Sequence, residues 1–279
     1  MSTPIHAMIR ARMNDIRAKG RLRTLRAVHR ISPRECEIDG RRLLDFSSND
    51  YMGLSMRSEL INGAVEWSRR YGTGSGASRL ISGTNGAMLE LEEKIAAWKG
   101  FESALILSSG YSANLGCIAA LANKNTTIFA DKLNHASINT GCQVSQAEFR
   151  RYRHSDTAHL RRLIAGSGGD QKLIASDTVF SMDGDIAPVP ELVRIKKEYG
   201  CFLMIDEAHS ACVLGRTGGG VDEYFGLAGD DIDMKMGTLS KGLGTCGGYL
   251  AGSRALIEYL RYNLPGFVFS VGISPPLAA

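Results

Sequence analysis

Short apolar runs recur along this chain, and stretches of a different periodicity separate them. The segments "SALILSS", "TTIFADK", "KLIASDTVF", "CFLMIDEAH", "DIDMKMGT" and "GGYLAGS" are rich in large aliphatic and β-branched residues with little polar alternation, which predicts strands of a sheet buried on both faces. Between them the period lengthens. Met88, Leu91, Ile95 and Trp98 step by three, four and three, which is one face of an α-helix. "PVPELVRIKKEYG" predicts another helix, with proline before the first turn and Gly200 at its end. Strand, helix and strand in succession predict an α/β domain with a mainly parallel central sheet flanked by helices, placed over residues 55–262.

Residues 1–54 follow another pattern. A basic helix carries Ile9, Met13 and Ile16 on one side, and a short hairpin is expected around "CEIDGRRLLDF"; together they form an arm or part of a second domain. Residues 263–279 include "PGFVFSVGISPPLAA" and stop where a new helix begins, so they read as the start of a connection to a further domain.

With 279 residues, of which 44% are hydrophobic, the chain can bury one large core or two modest ones, which excludes a disordered or fibrous protein. The net charge of +4 is spread along most of the sequence and leaves no general nucleic-acid footprint. Only the stretch from Arg10 to Arg34, with nine Lys or Arg, is strongly basic, and it reads as the solvated face of the first helix. Six cysteines without any C-x-x-C pair, and no signal peptide or long apolar run, predict a reduced cytoplasmic setting, no membrane span and no structural zinc.

Candidate chemistry gathers where the predicted strands end. "YGTGSGASRLISGTNG" follows a charged helix end rather than a strand, so it fails as a dinucleotide fingerprint and reads as a glycine loop that lets backbone approach a ligand or a partner chain. "FLMIDEAHS" ends a strand with Asp206 and His209, where α/β sheets gather their ligands, although a carboxylate there can also cap the next turn. "SSGYSAN" opens a helix after a strand, with Gly110 at the turn; helix amides in that position bind phosphate, and the same residues also make an ordinary connecting loop. "DKLNHASI" sets His135 beside another strand end, where a structural histidine is equally at home. A metal site from Asp206, His209 and His135 lacks further ligands at recognisable spacing. "KMGTLSK" ends a third strand with Thr238, Ser240 and Lys241, giving hydroxyls for a phosphate and an amine able to form a Schiff base. A lysine, an aspartate and a phosphate-type loop at strand ends of one sheet are the equipment for pyridoxal phosphate.

The motifs "FSSNDYMGL", "GTGSGASRLISGT", "SSGYSAN", "NHASI", "VFSMDGD", "DEAHSACVLG" and "GTLSKGLGTCGGY" together resemble the α-oxoamine synthases, fold-type-I pyridoxal-phosphate enzymes, over about residues 20–279. The resemblance implies that Lys241 holds the cofactor aldehyde, that Asp206 pairs with the pyridine nitrogen and that His135 stacks on the ring. It places Ser181 and His209 near the phenolic oxygen, the backbone amides of Gly110 and Tyr111 with Thr238 at the phosphate, Asn49 near the substrate, and Arg23, with Arg21 and Arg26 as alternatives, at the acyl substrate. The implied reaction joins an amino acid to an acyl-CoA or acyl carrier protein thioester with loss of carbon dioxide, giving a 2-amino ketone in a homodimer. Within the family, "GSGASRLISG" and "FSSNDYMGL" lean toward members that make a biotin precursor, and "DEAHS" also suits members that make sphingoid bases. Family members continue into a C-terminal small domain, which is expected to be missing here. The competing readings are another fold-type-I reaction, transamination or retro-aldol cleavage, and a truncated inactive partner.

Overall fold

The computed structural model describes residues 3–279, and these fall into two compact units that divide between Phe46 and Ser47. In the first unit, helix α1 (Pro4–Ala18) starts with proline at its first turn, and the Thr3 hydroxyl accepts from the His6 amide. Strands β1 (His29–Ser32), β2 (Glu35–Ile38) and β3 (Arg41–Leu44) form an antiparallel sheet in that order. Asp39 and Gly40, both at positive φ, make the two-residue turn that joins β2 to β3, which is what an Asp-Gly pair between two strands predicts. Cys36 is the one buried residue among those described in this unit. Ile9, Met13 and Ile16, expected on one apolar side of the helix, therefore enter no core here.

The second unit is built on a seven-stranded sheet among the described residues. Its strands are β4 (Ser103–Leu107), β5 (Thr126–Asp131), β6 (Glu148–Tyr152), β7 (Gln171–Asp177), β8 (Phe202–Asp206), β9 (Met234–Thr238) and β10 (Gly248–Gly252). They lie in the order β4-β10-β9-β8-β7-β5-β6, and β10 alone runs antiparallel to its neighbours. The remaining six therefore point the same way and bring their carboxyl ends to one edge. Strand β6, "EFRRY", was not predicted: at the sheet's edge it carries polar residues that only pairing with β5 recruits into a strand.

Helices α2 (Ser58–Tyr71), α3 (Gly86–Lys99), α4 (Gly110–Leu121), α5 (Ala136–Val144), α6 (Thr157–Ala165), α7 (Val189–Tyr199), α8 (Val221–Phe225), α9 (Arg254–Asn263), α10 (Pro265–Val268) and α11 (Pro275–Ala278) complete the unit. Gly200 ends α7 in the left-handed conformation, as its position after the last turn predicts. Three buried apolar clusters line the sheet, one of them formed by Met88 and Ile95 of α3 with Ile106 and Tyr249. Ile118, Cys117, Ile257 and Leu260 from α4 and α9 pack with Leu105, Ile128, Met204 and Leu250 on one face, and Leu160, Leu192 and Ile195 from α6 and α7 pack with Phe129, Ile174 and Leu203 on the other. Phe267, Ile273 and Ala278 are buried in this unit, so residues 263–279 contribute to its core. Among the described residues, no helix is long and apolar enough to cross a membrane.

Candidate active site

Five parallel strands deliver polar side chains to the same edge. Just beyond β4 lie Ser109 and the first turn of α4; beyond β5 lies His135; β7 and β8 end in Asp177 and Asp206; beyond β9 lies Lys241. These groups line one cavity of about 240 Å³, together with Tyr111, Asn114, Ser137, His209, Thr238 and Ser240. Of the residues expected from sequence, Lys241, Asp206, His135, His209, Gly110, Tyr111 and Thr238 all lie on its wall. Ser181 does not line it and is exposed in the turn after Phe180. Arg23, with its alternatives Arg21 and Arg26, belongs to the first unit, where it is exposed between α1 and β1.

Asp206 is 4% exposed. One carboxyl oxygen accepts from the Ala208 amide at 2.8 Å, and the other accepts from Asn114 Nδ2 at 2.7 Å. Burial pushes its pKa upward, and these two donors, with the charges of Lys241 and His135, oppose the shift. Asn114, fully buried on α4, also donates to Ser137 Oγ at 2.9 Å, and Ser137 meets His135 Nδ1 at 2.7 Å. A single amide thus ties together α4, α5 and the end of β8. Asn114 lies inside "SSGYSAN", but one asparagine in an apolar helix has no spacing signature that would mark this role in the sequence.

Asn49 is linked to Lys241 by a chain of hydrogen bonds. Lys241 Nζ lies 2.7 Å from His209 Nε2, His209 Nδ1 lies 2.6 Å from the Tyr51 hydroxyl, and that hydroxyl donates to Asn49 Oδ1 at 3.2 Å. Because the Tyr51 proton goes to Asn49, His209 Nδ1 is the donor toward Tyr51, which leaves Nε2 to accept from Lys241. This tautomer is neutral. Burial, with Lys241 and His135 nearby, accordingly lowers the His209 pKa to about 4. Burial also lowers the Lys241 pKa, against the upward pull of Asp206 and Asp177.

At the other end of the cavity the chain leaves room for backbone. A Cβ at Gly248 would lie 2.6 Å from the Gly110 amide nitrogen, so only glycine lets β10 pass this close to the start of α4. A Cβ on Gly110 would itself come within 3.3 Å of Thr238 Cβ. The Thr238 and Ser240 hydroxyls lie 2.7 Å apart beside that turn, and Ser109 caps α4 by accepting from the Ser112 amide. The result is an open helix N-terminus bordered by hydroxyls, an anion cradle. Beneath the floor, Glu207 forms a fully buried ion pair with Lys99, Oε2 to Nζ at 3.0 Å. Lys99 looks in sequence like a solvated lysine at a helix end, so this pair was also missed. Among the described residues, no group of three or more His, Cys, Asp or Glu is arranged to hold a metal ion.

The sequence profile of class I and II aminotransferases matches residues 41–279. The chain belongs to the class I and II aminotransferase family. It is 47% identical over 268 residues to the 8-amino-7-oxononanoate synthase of Citrifermentans bemidjiense, covering 96% of this chain and 68% of that protein. It is 46% identical over 272 residues to the enzyme of the same name from Geobacter sulfurreducens, covering 97% and 69%. Its fold superposes with a TM-score of 0.90 on serine palmitoyltransferase from S. paucimobilis with a bound PLP–myriocin aldimine, at 32% identity over 97% of this chain and 68% of that one.

Proposed function

We propose that this chain is a pyridoxal-phosphate-dependent acyltransferase that joins an amino acid to an acyl thioester, releasing the thiol and carbon dioxide and leaving a 2-amino ketone. The observation that carries this reading is the convergence of Lys241, Asp206 and His135 on one cavity beside an open helix N-terminus. The residues fit the cofactor. An anion cradle at Gly110, Tyr111, Thr238 and Ser240 suits its phosphate, a buried carboxylate suits its ring nitrogen, and Asn114 Oδ1 and Asp177 Oδ1 are buried with no hydrogen-bond partner within the protein.

When bound, pyridoxal phosphate supplies a sink for the electrons released at the substrate Cα. Lys241 is the amine that would hold the cofactor aldehyde and move the proton at the substrate Cα. Its lowered pKa enlarges the neutral, nucleophilic fraction. Asp206, fixed by Asn114 and Ala208, keeps its carboxylate aimed at the cavity. His135, its orientation set by Ser137, would form the wall that holds the ring. His209, held in one tautomer by Tyr51, orients the lysine amine. Ser181 at the phenolic oxygen, Asn49 near the substrate and Arg23 at the acyl group belong to the same proposal.

The name shared by the relatives defines the product. Cutting 8-amino-7-oxononanoate between the amine-bearing carbon and the ketone leaves alanine less its carboxyl and a seven-carbon acyl group ending in a carboxylate. That thioester and alanine are the substrates proposed here. A second reading, a longer acyl donor with serine, is favoured by the TM-score of 0.90 to serine palmitoyltransferase. A homodimer and a cytoplasmic setting complete the proposal; all six cysteines are free thiols, which agrees with a reducing compartment.

The test is to add pyridoxal phosphate to the protein and to its Lys241→Ala variant, record the visible imine band, and then follow thiol release with each amino acid and thioester. A dialysis-resistant band absent from the variant, with thiol release dependent on alanine, is expected. A band equally strong in the variant would refute the reading of Lys241, and turnover with serine and long-chain thioesters alone would favour the second reading.

A further inference from the structure

Asp177 has no part in the mechanism above, yet it stands beside Asp206. The two are cross-strand partners in the parallel register of β7 and β8, so both side chains leave the sheet on the same face, and both line the cavity. Two carboxyl groups this close in a desolvated site do not both ionise readily.

The hydrogen bonds decide which one keeps the proton. Asp206 receives two donors, the Ala208 amide and Asn114 Nδ2, one on each oxygen. Asp177 receives one, the His135 amide on Oδ2 at 3.0 Å, while its Oδ1 is buried with no protein partner. A carboxylate is stabilised by each donor it accepts, and an oxygen without one is where a proton costs least.

We infer that Asp177 is a second, neutral carboxyl of this site, which keeps Asp206 as the single anion of the cavity floor. The inference rests on the cofactor reading for its purpose, and on the protein's own geometry for its truth. The ionisable groups around Asp177 are Asp206 on β8, Lys241 after β9, Asp131 at the end of β5, His135 before α5 and Tyr152 at the end of β6. Burial and the Asp206 charge push the Asp177 pKa well up, and the His135 amide and Lys241 oppose this. A second anion would draw a proton onto Lys241 and reduce its nucleophilic fraction. Holding Asp177 neutral spares the lysine that effect. Asp177 is thus a positioning and charge-setting residue: it fixes the backbone of His135 and limits the negative charge facing Lys241.

The test uses protein without cofactor, so it stands apart from whether pyridoxal phosphate binds. Infrared spectra of protein with isotope-labelled aspartate at neutral pH are expected to show the carbonyl stretch of a neutral acid, absent from Asp177→Asn. Failure of wild-type protein to show that band overturns the inference, and needs no variant to fold. Thermal unfolding of both proteins across pH gives a second readout. Because the folded pKa of Asp177 lies above the unfolded value of about 3.9, its contribution is complete below that value and is lost as pH rises through the folded pKa. Asparagine cannot ionise, so the variant's midpoint is expected to gain on wild type as pH rises; a difference that is flat or shrinks with pH also overturns the inference. If these results hold while wild-type protein gives no imine band, the cofactor reading fails and the neutral carboxyl stands.

Discussion

Lys99→Met removes the cation beneath the floor of the site and leaves its partner buried. Lys99 and Glu207 both have fully inaccessible side chains, with Nζ 3.0 Å from Oε2. The ammonium also donates to the Gly219 carbonyl at 2.8 Å and sits 3.8 Å from the centre of the Trp98 ring. On the opposite side, Glu207 Oε1 accepts from the Val221 amide at 3.1 Å. Methionine matches the length and apolar volume of the lysine stem but neutralises nothing. Breaking one half of a buried pair costs about 3–5 kcal/mol, because the remaining charge has no compensation. Against a total stability of about 5–15 kcal/mol, that is a large share. At about 2–4 °C per kcal/mol, the thermal midpoint drops by about 6–20 °C. Urea unfolding followed by circular dichroism measures the loss, with an unchanged slope showing that the unfolded state is the same. The double variant Lys99→Met with Glu207→Gln removes both charges while the glutamine oxygen can still accept from Val221, so it is expected to recover at least about 1 kcal/mol of the single loss. A Lys99→Met cost below about 1 kcal/mol, or a double variant weaker than the single one, would refute the reasoning. Since Glu207 shares its turn with Asp206 and His209, Lys99→Met is also expected to retain pyridoxal phosphate less well on dialysis.

Gly248→Ala forces a methyl to within 2.6–2.7 Å of the Ser109 and Gly110 backbone, so it is expected to displace the first turn of α4 and weaken binding of phosphate-bearing cofactor far more than binding of pyridoxal; equal losses for the two would count against the cradle. His154 bonds Asp131 through Nδ1 at 3.0 Å and Asp185 through Nε2 at 2.9 Å, and since carboxylates only accept, the ring is an imidazolium. Burial pulls its pKa down, but the two carboxylates outweigh burial and raise it. Its contribution to stability is therefore complete below the unfolded value of about 6.5 and is lost as pH rises through the folded pKa; a His154→Gln penalty that failed to shrink with rising pH would contradict this. His209 has the opposite sign: with its pKa lowered to about 4, it stays neutral at physiological pH, and a ring titration by NMR near 6.5 would contradict the Tyr51 arrangement.

The buried strands were readable because a sheet covered on both faces demands unbroken apolar runs, and "TTIFADK" or "CFLMIDEAH" can serve as little else. Strand β6 was not, since "EFRRY" owes its conformation to the pairing of Thr127 through Asp131 with Glu148 through Tyr152. Lys241, Asp206 and His135 announced themselves by standing at strand ends within motifs. Asp177 stands at a strand end too, in "KLIASD", and the signal that found Asp206 could have found it. Asn114 and Lys99 carry no such signal: their partners, Asp206 and Glu207, lie far away in sequence, and only the packing of α4 and α3 brings them together. The apolar side of α1 failed for the converse reason, because a periodic pattern shows that a face could be buried and the first unit has almost no core to receive it.

The central claim is that Lys241 is the amine that holds pyridoxal phosphate in this cavity. Incubating the protein with the cofactor, reducing with borohydride, digesting and locating the modified peptide by mass spectrometry tests it most directly. A pyridoxyl group confined to Lys241, at close to one per chain, is the predicted result; modification scattered over other lysines with Lys241 unlabelled would contradict it.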